Sequence, residues 1–418
     1  MQEKFAATYF ANAAKIIREY RGDIPLHHFL KNYFAQNKKF GSKDRKYVTS
    51  LCYAFYRTGH AFDDMQADDR LKISFFLCCH EDHPLKIFYE ESWVERWNES
   101  AENKIGFIRS LYTSFHAENI FPWADTLSAG IDSQSFSLSH LIQPLLFLRI
   151  RPGRKQQVLS KLAENNIAYK KIENNCIALE NTTQANKAIA LNRDAVVQDQ
   201  SSQRIGQFML MTERKKEKTE IWDCCAASGG KSMLAYDTLQ NISLTVSDIR
   251  PSILSNLKKR FSEAGIKNYR AFVADLSGEV KRQKAKIKDD GVKNHQSFAA
   301  DVKDSFNIHN SAFSIIICDV PCSGSGTWGR TPEQLYFFNE KEISSFSSLQ
   351  KKITGNAIQH LKQGGYFLYI TCSVFRKENE EVAEYIKENF HLRFIKMEVL
   401  KGYTNRADTM FAALFIKE

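Results

Sequence analysis

EIWDCCAASGGKS, residues 220–232, runs an apolar strand straight into a loop with two glycines and a lysine. A strand that ends this way opens a mostly parallel sheet, in which ligands bind beyond the carboxyl ends of the strands. Four more such strands follow: SLTVSD ends at Asp248, AFVAD at Asp275, SIIICD at Asp319 and GGYFLYITC at Cys372. Their alternation with helical stretches from about residue 206 onward predicts an α/β domain whose sheet is covered on both faces. Acids and cysteines collect at the strand ends, so one crevice is expected to gather them.

The loop nearly matches the phosphate-binding pattern GxxxxGK[ST], with Gly230, Lys231 and Ser232 in place. The first glycine of that pattern is Cys225 here, and the turn it makes needs the φ freedom of glycine. A nucleoside-binding loop fits better. Gly229 and Gly230 let the backbone approach a small molecule, and Asp248 ends the next strand where an acid bonds ribose hydroxyls. A phosphate-loop ATPase is the weaker alternative.

Upstream the texture differs. Residues 1–140 read as helices, with apolar residues three and four apart in AATYFANAAKIIREY and RKYVTSLCYAFYRTGHAF. Residues 141–205 carry two strand-like runs, PLLFLRI and NNCIALE, around a helical stretch, which predicts a small α+β module. The net charge of +10 is uneven: residues 1–140 hold 17 basic and 18 acidic residues, the remainder 41 and 30. That surplus suits an anionic partner such as nucleic acid, and simple solubility explains it equally well. No run approaches the roughly 20 apolar residues of a membrane helix. Nine cysteines without a secretory leader point to a reducing cytoplasm.

WDCCAASGGKS, VSDIRP, VADLSG, DVPCSGSGTWGRTPE and YITCSVFRKENEEV together resemble the RNA cytosine-5 methyltransferases of the Rsm/Nop/Sun group, and among them the bacterial 16S rRNA enzymes. The resemblance spans about residues 196–418, beginning with VQDQSSQRIG. It implies a Rossmann-like class I methyltransferase domain over 206–418 with a seven-stranded, mostly parallel sheet. FGSKDRKYVTSLCYAFYRTG is similar to the NusB-like helical domain of the bacterial members, and LRIRPGRKQQVLSKLAENNIAY to their small RNA-binding linker module.

What the resemblance implies is concrete. S-adenosylmethionine is the cofactor and RNA the partner, rRNA before tRNA; a monomer is expected. Cys372 is the nucleophile that adds to C6 of cytosine, Cys322 serves product release, and Asp319 contacts both the base edge and the methionyl end of the cofactor. Cofactor contacts fall to Cys225, Ala226, Ala227, Ser228, Gly229, Gly230, Lys231, Asp248, Arg250, Asp275 and Asp319. Ser228 stands where the group favours proline, and ADTMFAALF where it favours Asp-Gly-Phe-Phe, leaving Phe411 without a glycine neighbour. The basic stretch 281–296 is expected to be a solvated surface loop. An inactive RNA-binding assembly factor is the alternative from another class.

Several tempting residues are expected to be structural. Cys78, Cys79, His80 and His83 in CCHEDH lack the second ligand pair of a structural zinc site, and no metal is expected. Cys52, Cys176, Cys224 and Cys318 read as buried fillers. Tyr336, Phe337 and Phe338 suit core packing better than stacking on an extruded base.

Overall fold

The computed structural model describes residues 2–62, 65–173, 175–212, 218–278 and 311–418, so the basic stretch 281–296 lies outside the described residues. Seven helices come first: α1 (Glu3–Glu19), α2 (Leu26–Gln36), α3 (Ser42–Arg57), α4 (Ala67–Cys78), α5 (Glu91–Val94), α6 (Ala101–Leu111) and α7 (Ser133–Ser139). The spacing read in the sequence is what packs them: Ala6, Phe10, Ala13 and Ile17 of α1 meet Val48, Leu51, Cys52 and Phe55 of α3 in one core.

A small antiparallel sheet follows, built from β1 (Leu146–Ile150), β2 (Lys170–Glu173), β3 (Cys176–Leu179) and β4 (Ala195–Val197), ordered β2-β3-β1-β4. Helix α8 (Lys155–Glu164) covers one face by burying Val158 and Leu162 against Leu148, Ile150 and Ile177. Helix α9 (Gln200–Leu210) starts within VQDQSSQRIG, runs past residue 206, and puts Ile205, Phe208 and Met209 into the core of the larger sheet.

That larger sheet contains β5 (Thr219–Asp223), β6 (Ile242–Asp248), β7 (Tyr269–Val273), β8 (Phe313–Asp319), β9 (Leu361–Thr371), β10 (Leu392–Leu400) and β11 (Met410–Lys417). Its order is β10-β11-β9-β8-β5-β6-β7, with β11 antiparallel to both neighbours and every other pair parallel. Helices α10 (Gly230–Thr238) and α11 (Pro251–Glu263) join α9 on one face. On the other lie α13 (Lys341–Ile358) and α14 (Glu380–Asn389), while α12 (Pro332–Phe337) packs on α3. The unbroken apolar run of β8 follows from burial on both faces: Ile315 and Ile317 enter one core, Ile316 and Cys318 the other. Strand order reverses between β5 and β8, and a crevice opens at such a switch point.

The helical region caps the loops that follow β8 and β9. Ser128 N–H donates to Val374 O (2.8 Å), Arg376 N–H to Thr126 O (2.9 Å) and Leu26 N–H to Glu333 Oε1 (3.0 Å). Buried Arg57 donates to His140 O (3.0 Å) and Gly329 O (2.8 Å). Trp123, Trp328, Phe338 and Phe375 pack ring against ring across the same seam, with Phe338 stacked on Phe375. One apolar cluster therefore spans both parts.

Candidate active site

The loop after β5 first continues the sheet: Cys224 N–H donates to Ile317 O (3.0 Å) and Ala226 N–H to Ser247 O (2.8 Å). It then turns sharply, with φ of 45° at Ala227 and 82° at Gly229. A Cβ on Gly229 would also sit 2.7 Å from Phe261 Cε1, so sterics and backbone both demand glycine there. A Cβ on Gly230 would meet nothing within 4 Å. Ser228 is restrained from outside, because Arg260 donates to its carbonyl (2.8 Å) and its hydroxyl (2.9 Å). A guanidinium thus does the holding that a proline ring would do.

Asp248 accepts from Ala227 N–H (3.0 Å), Arg250 N–H (3.0 Å) and the Arg250 guanidinium (3.0 and 3.3 Å). Burial pushes its carboxyl up, and Arg250 with these N–H donors outweighs burial, leaving it below the usual range. Arg250 accordingly serves Asp248. The third strand departs from expectation: β7 ends at Val273, two residues before Asp275. Beyond it Asp275 turns to accept from Ser277 N–H (2.8 Å) and its hydroxyl (2.5 Å), a local turn that competes with strand continuation.

Strands β8 and β9 are parallel neighbours with Asp319 beside Ile370, so the loops that follow them meet. Cys322 Sγ lies 3.2 Å from Cys372 Sγ, and both thiols are free. Lys231, from the first turn of α10, reaches Asp319 at 3.1 Å with its side chain only 9% exposed. The contact with Cys372, and then burial, push the Cys322 thiol well above its ordinary value. Hydrogen bonds from Cys224 and Cys318 pull Cys225 the other way, to about 5.

Gly326 locks the two loops together. Its N–H donates to Cys372 O (2.8 Å), and its carbonyl accepts from Thr409 N–H (2.8 Å). A Cβ there would fall 2.0 Å from Thr409 O and 3.0 Å from Cys372 O. Gly326→Ala is expected to cost about 3 kcal/mol, at the upper end of overpacking penalties, and to lower the melting temperature measured by calorimetry. Gly106→Ala, on a helix with nothing within 4 Å of the new Cβ, is the control and should stabilise slightly.

Residues 209–410 match the protein-family model for the 16S rRNA methyltransferase RsmB/F. This region, just under half of the chain, is similar to that family. A probable ribosomal RNA small subunit methyltransferase B of Bacillus subtilis is 25% identical over 274 residues, covering 64% of this chain and 54% of its own. The tRNA (cytosine(72)-C(5))-methyltransferase NSUN6 of Mus musculus is 30% identical over 172 residues, 41% of this chain and 33% of its own. The chain thus spans about half the length, or less, of these curated relatives. Its fold is that of the solved structure of PH0851, with a TM-score of 0.64 and 15% identity over 100% of this chain and 99% of that one.

Reading the sequence missed several residues of this site. Asp223 is fully buried, accepts from the Ser232 hydroxyl (2.5 Å) and leaves Oδ1 without a partner among the described residues. Burial, aided by the nearby Asp319 charge, raises its carboxyl to about 7. Arg330 bridges Asp199 (2.8 Å) and Asp408 (2.8 Å), tying the start of α9 to the turn before β11. Only the placement of an acid within an apolar strand hinted at Asp223; nothing local marked Arg330.

The residues expected to be structural have structural partners. Cys52, Cys176, Cys224 and Cys318 are buried. Tyr336 and Phe338 pack on the helical core, while Phe337 is 40% exposed and meets Tyr20 edge-on. Cys78 lies against Ala54 O, Cys79 against Glu81 O, and His83 Nδ1 accepts from Leu85 N–H. Phe411 is buried in β11.

Proposed function

We propose that this chain transfers a methyl group from S-adenosylmethionine to C5 of a cytosine in RNA. The observation that carries this reading is the pair of free thiols, 3.2 Å apart, at the ends of neighbouring strands beside the Lys231–Asp319 pair. Cytosine C5 is a weak nucleophile. Addition of the Cys372 thiolate to C6 makes C5 enamine-like, and splitting a hard step in two is the logic of covalent catalysis. Bound S-adenosylmethionine supplies the electrophilic methyl. Asp319, held by Lys231, faces the edge of the base and stabilises charge developing at N3. A base then takes the C5 proton and Cys372 is eliminated, with Cys322 assisting release.

The residues fit the cofactor. The loop from Cys225 to Gly230 leaves open space at Gly230, and Asp248 offers ionised oxygens at the end of β6. Asp248→Ala is expected to weaken S-adenosylmethionine binding by about tenfold or more, since a charged acceptor for hydroxyls is removed. Isothermal calorimetry measures this, and unchanged affinity would place the ribose elsewhere.

The division into a helical NusB-like part (1–140), an α+β linker (141–205) and a methyltransferase domain (206–418) is part of the same proposal, the first two serving RNA binding. A 16S rRNA target is favoured over tRNA because the matching family model is named for rRNA enzymes. The chain would act as a monomer in the cytoplasm; among the described residues no helix is long and apolar enough to cross a membrane. If the basic surplus after residue 140 contacts phosphates, RNA affinity falls steeply as salt rises. A flat plot of log affinity against log salt would return the charge to solubility. Transfer of radiolabelled methyl to RNA, followed by bisulfite mapping, tests the activity and names the cytosine. An inactive assembly factor would bind RNA and transfer nothing.

A further inference from the structure

Glu378 follows Cys372 by six residues and is 0% exposed. Its Oε2 accepts from Ser323 N–H (2.9 Å) and Gln350 Nε2 (2.8 Å), and its Oε1 from the Ser373 hydroxyl (2.7 Å). Ser323 is the residue after Cys322, and Ser373 the residue after Cys372. Gln350 also donates to Pro321 O (3.0 Å), so the Pro-Cys-Ser turn is gripped on both sides of its thiol. Tyr369 OH closes the cluster by donating to Glu378 O (2.6 Å). Among the described residues no basic side chain pairs with this carboxylate. A buried carboxylate without a cation is costly unless donors fill its lone pairs, and here the donors are the loops that carry the thiols.

We propose that Glu378 is the positioning residue that sets the two active-site thiols against each other, one buried carboxylate holding the residue after each cysteine; the inference rests on the methyltransferase reading of that site. It explains why two loops fifty residues apart in sequence hold their sulfurs in contact. The same charge also acts on Cys322. After the Cys372 contact and burial, Glu378 contributes to keeping Cys322 protonated. That leaves Cys322 a proton donor for the departing Cys372 sulfur, while a base takes the C5 proton.

The test compares the full chain with Glu378→Gln. With the amide NH₂ at the Oε2 position the bonds from Ser323 and Gln350 are lost; at the Oε1 position it faces the Ser373 hydroxyl, which must reverse its bond while it accepts from Phe375 N–H (3.0 Å). The expected result is a kcat at least about tenfold lower, with the KM for S-adenosylmethionine within about twofold because the cofactor loop lies on other strands. Active sites are counted by trapping on RNA carrying 5-fluorocytosine, whose fluorine blocks elimination. A drop in trapped sites with kcat per site unchanged would mean a merely structural role and overturn the proposal. Iodoacetamide labelling read by mass spectrometry gives a second measure that needs neither RNA nor cofactor. Cys322 should label faster in the variant than in wild type, with buried Cys52 as the internal standard; equal labelling together with equal kcat also overturns it. If Glu378→Gln does not fold, Gln350→Ala removes the two Nε2 bonds and the one its Oε1 accepts from Tyr369 OH (3.2 Å), and should shift both measures in the same direction. Failure of the methyltransferase reading looks different: no methylation from wild type, with the labelling contrast intact.

Discussion

Cys372→Ala is expected to give neither methylated RNA nor a covalent protein–RNA species, whereas Cys322→Ala should accumulate that species. The difference follows from the order of events. Without the Cys372 thiol C5 is never activated, so the rate is expected to fall by about a thousandfold or more, roughly 4 kcal/mol of transition-state stabilisation. Without Cys322, attack and transfer proceed and only release is slowed. The two side chains lie 3.2 Å apart in one crevice, so neither change disturbs a distant part of the molecule. A denaturing gel of each variant with substrate RNA and S-adenosylmethionine reads the outcome, and nuclease treatment identifies the shifted band. A nuclease-sensitive band from Cys372→Ala and none from Cys322→Ala would reverse the two roles. Methylation intact in both, with no adduct in either, would sink the covalent mechanism.

Lys231→Met should cost both stability and activity, in a pH-dependent way. Lys231 is the nearly buried cation of the Asp319 ion pair, and its charge also favours the ionised forms of Asp223 and Asp408. Removing one partner of a buried pair leaves the other uncompensated, which costs about 3–5 kcal/mol in full burial. Asp319 is 28% exposed, so about 2 kcal/mol is the expected loss. The sign of the pH effect follows from Asp223, whose folded value of about 7 lies above the ordinary 3.8. A raised acid is protonated in the fold while the unfolded chain has already ionised. Its contribution is therefore full below about 4, is lost as pH rises toward 7, and is flat above. In the variant Asp223 loses a neighbouring cation, so the penalty should be larger at pH 8 than at pH 5. Urea unfolding at the two pH values measures it; an equal loss at both would show that Lys231 and Asp223 do not interact. Methyl transfer should fall about a hundredfold or more, because Asp319 loses the group that holds it against the base.

The α/β class, the strand ends and the two cysteines were legible in the chain itself, because each is a local property. Ile315, Ile316 and Ile317 in unbroken succession signal a strand buried on both faces, and a residue at the end of such a strand faces the crevice wherever the strand lies. The Pro-Cys and Thr-Cys motifs, read by resemblance, singled out Cys322 and Cys372, whose thiols the fold brings together. The end of β7 was misplaced by two residues, since Asp275 bonds Ser277 and leaves the ladder early. That competition between a side chain and the sheet is settled by small energies and leaves little trace in pattern.

Other features belong to the tertiary structure alone. Contact between Cys322 and Cys372 requires β8 and β9 to be neighbours, and fifty residues of intervening chain carry no local mark of that pairing. Nothing local in the sequence marks Glu378 or Arg330 as buried, because burial is decided by what packs over them. Glu378 is covered once α13 brings Gln350 and β9 brings Tyr369, and Arg330 once α9 and the turn before β11 present Asp199 and Asp408. The helical roof over the loops that follow β8 and β9 is of the same kind: Ser128, Leu26 and Arg57 bond partners more than two hundred residues away. Sequence determined which residues end the strands, since apolar periodicity and turn chemistry act over a few residues. Only the fold decided which ends meet and which charges are buried, because those depend on long-range packing that no local pattern encodes.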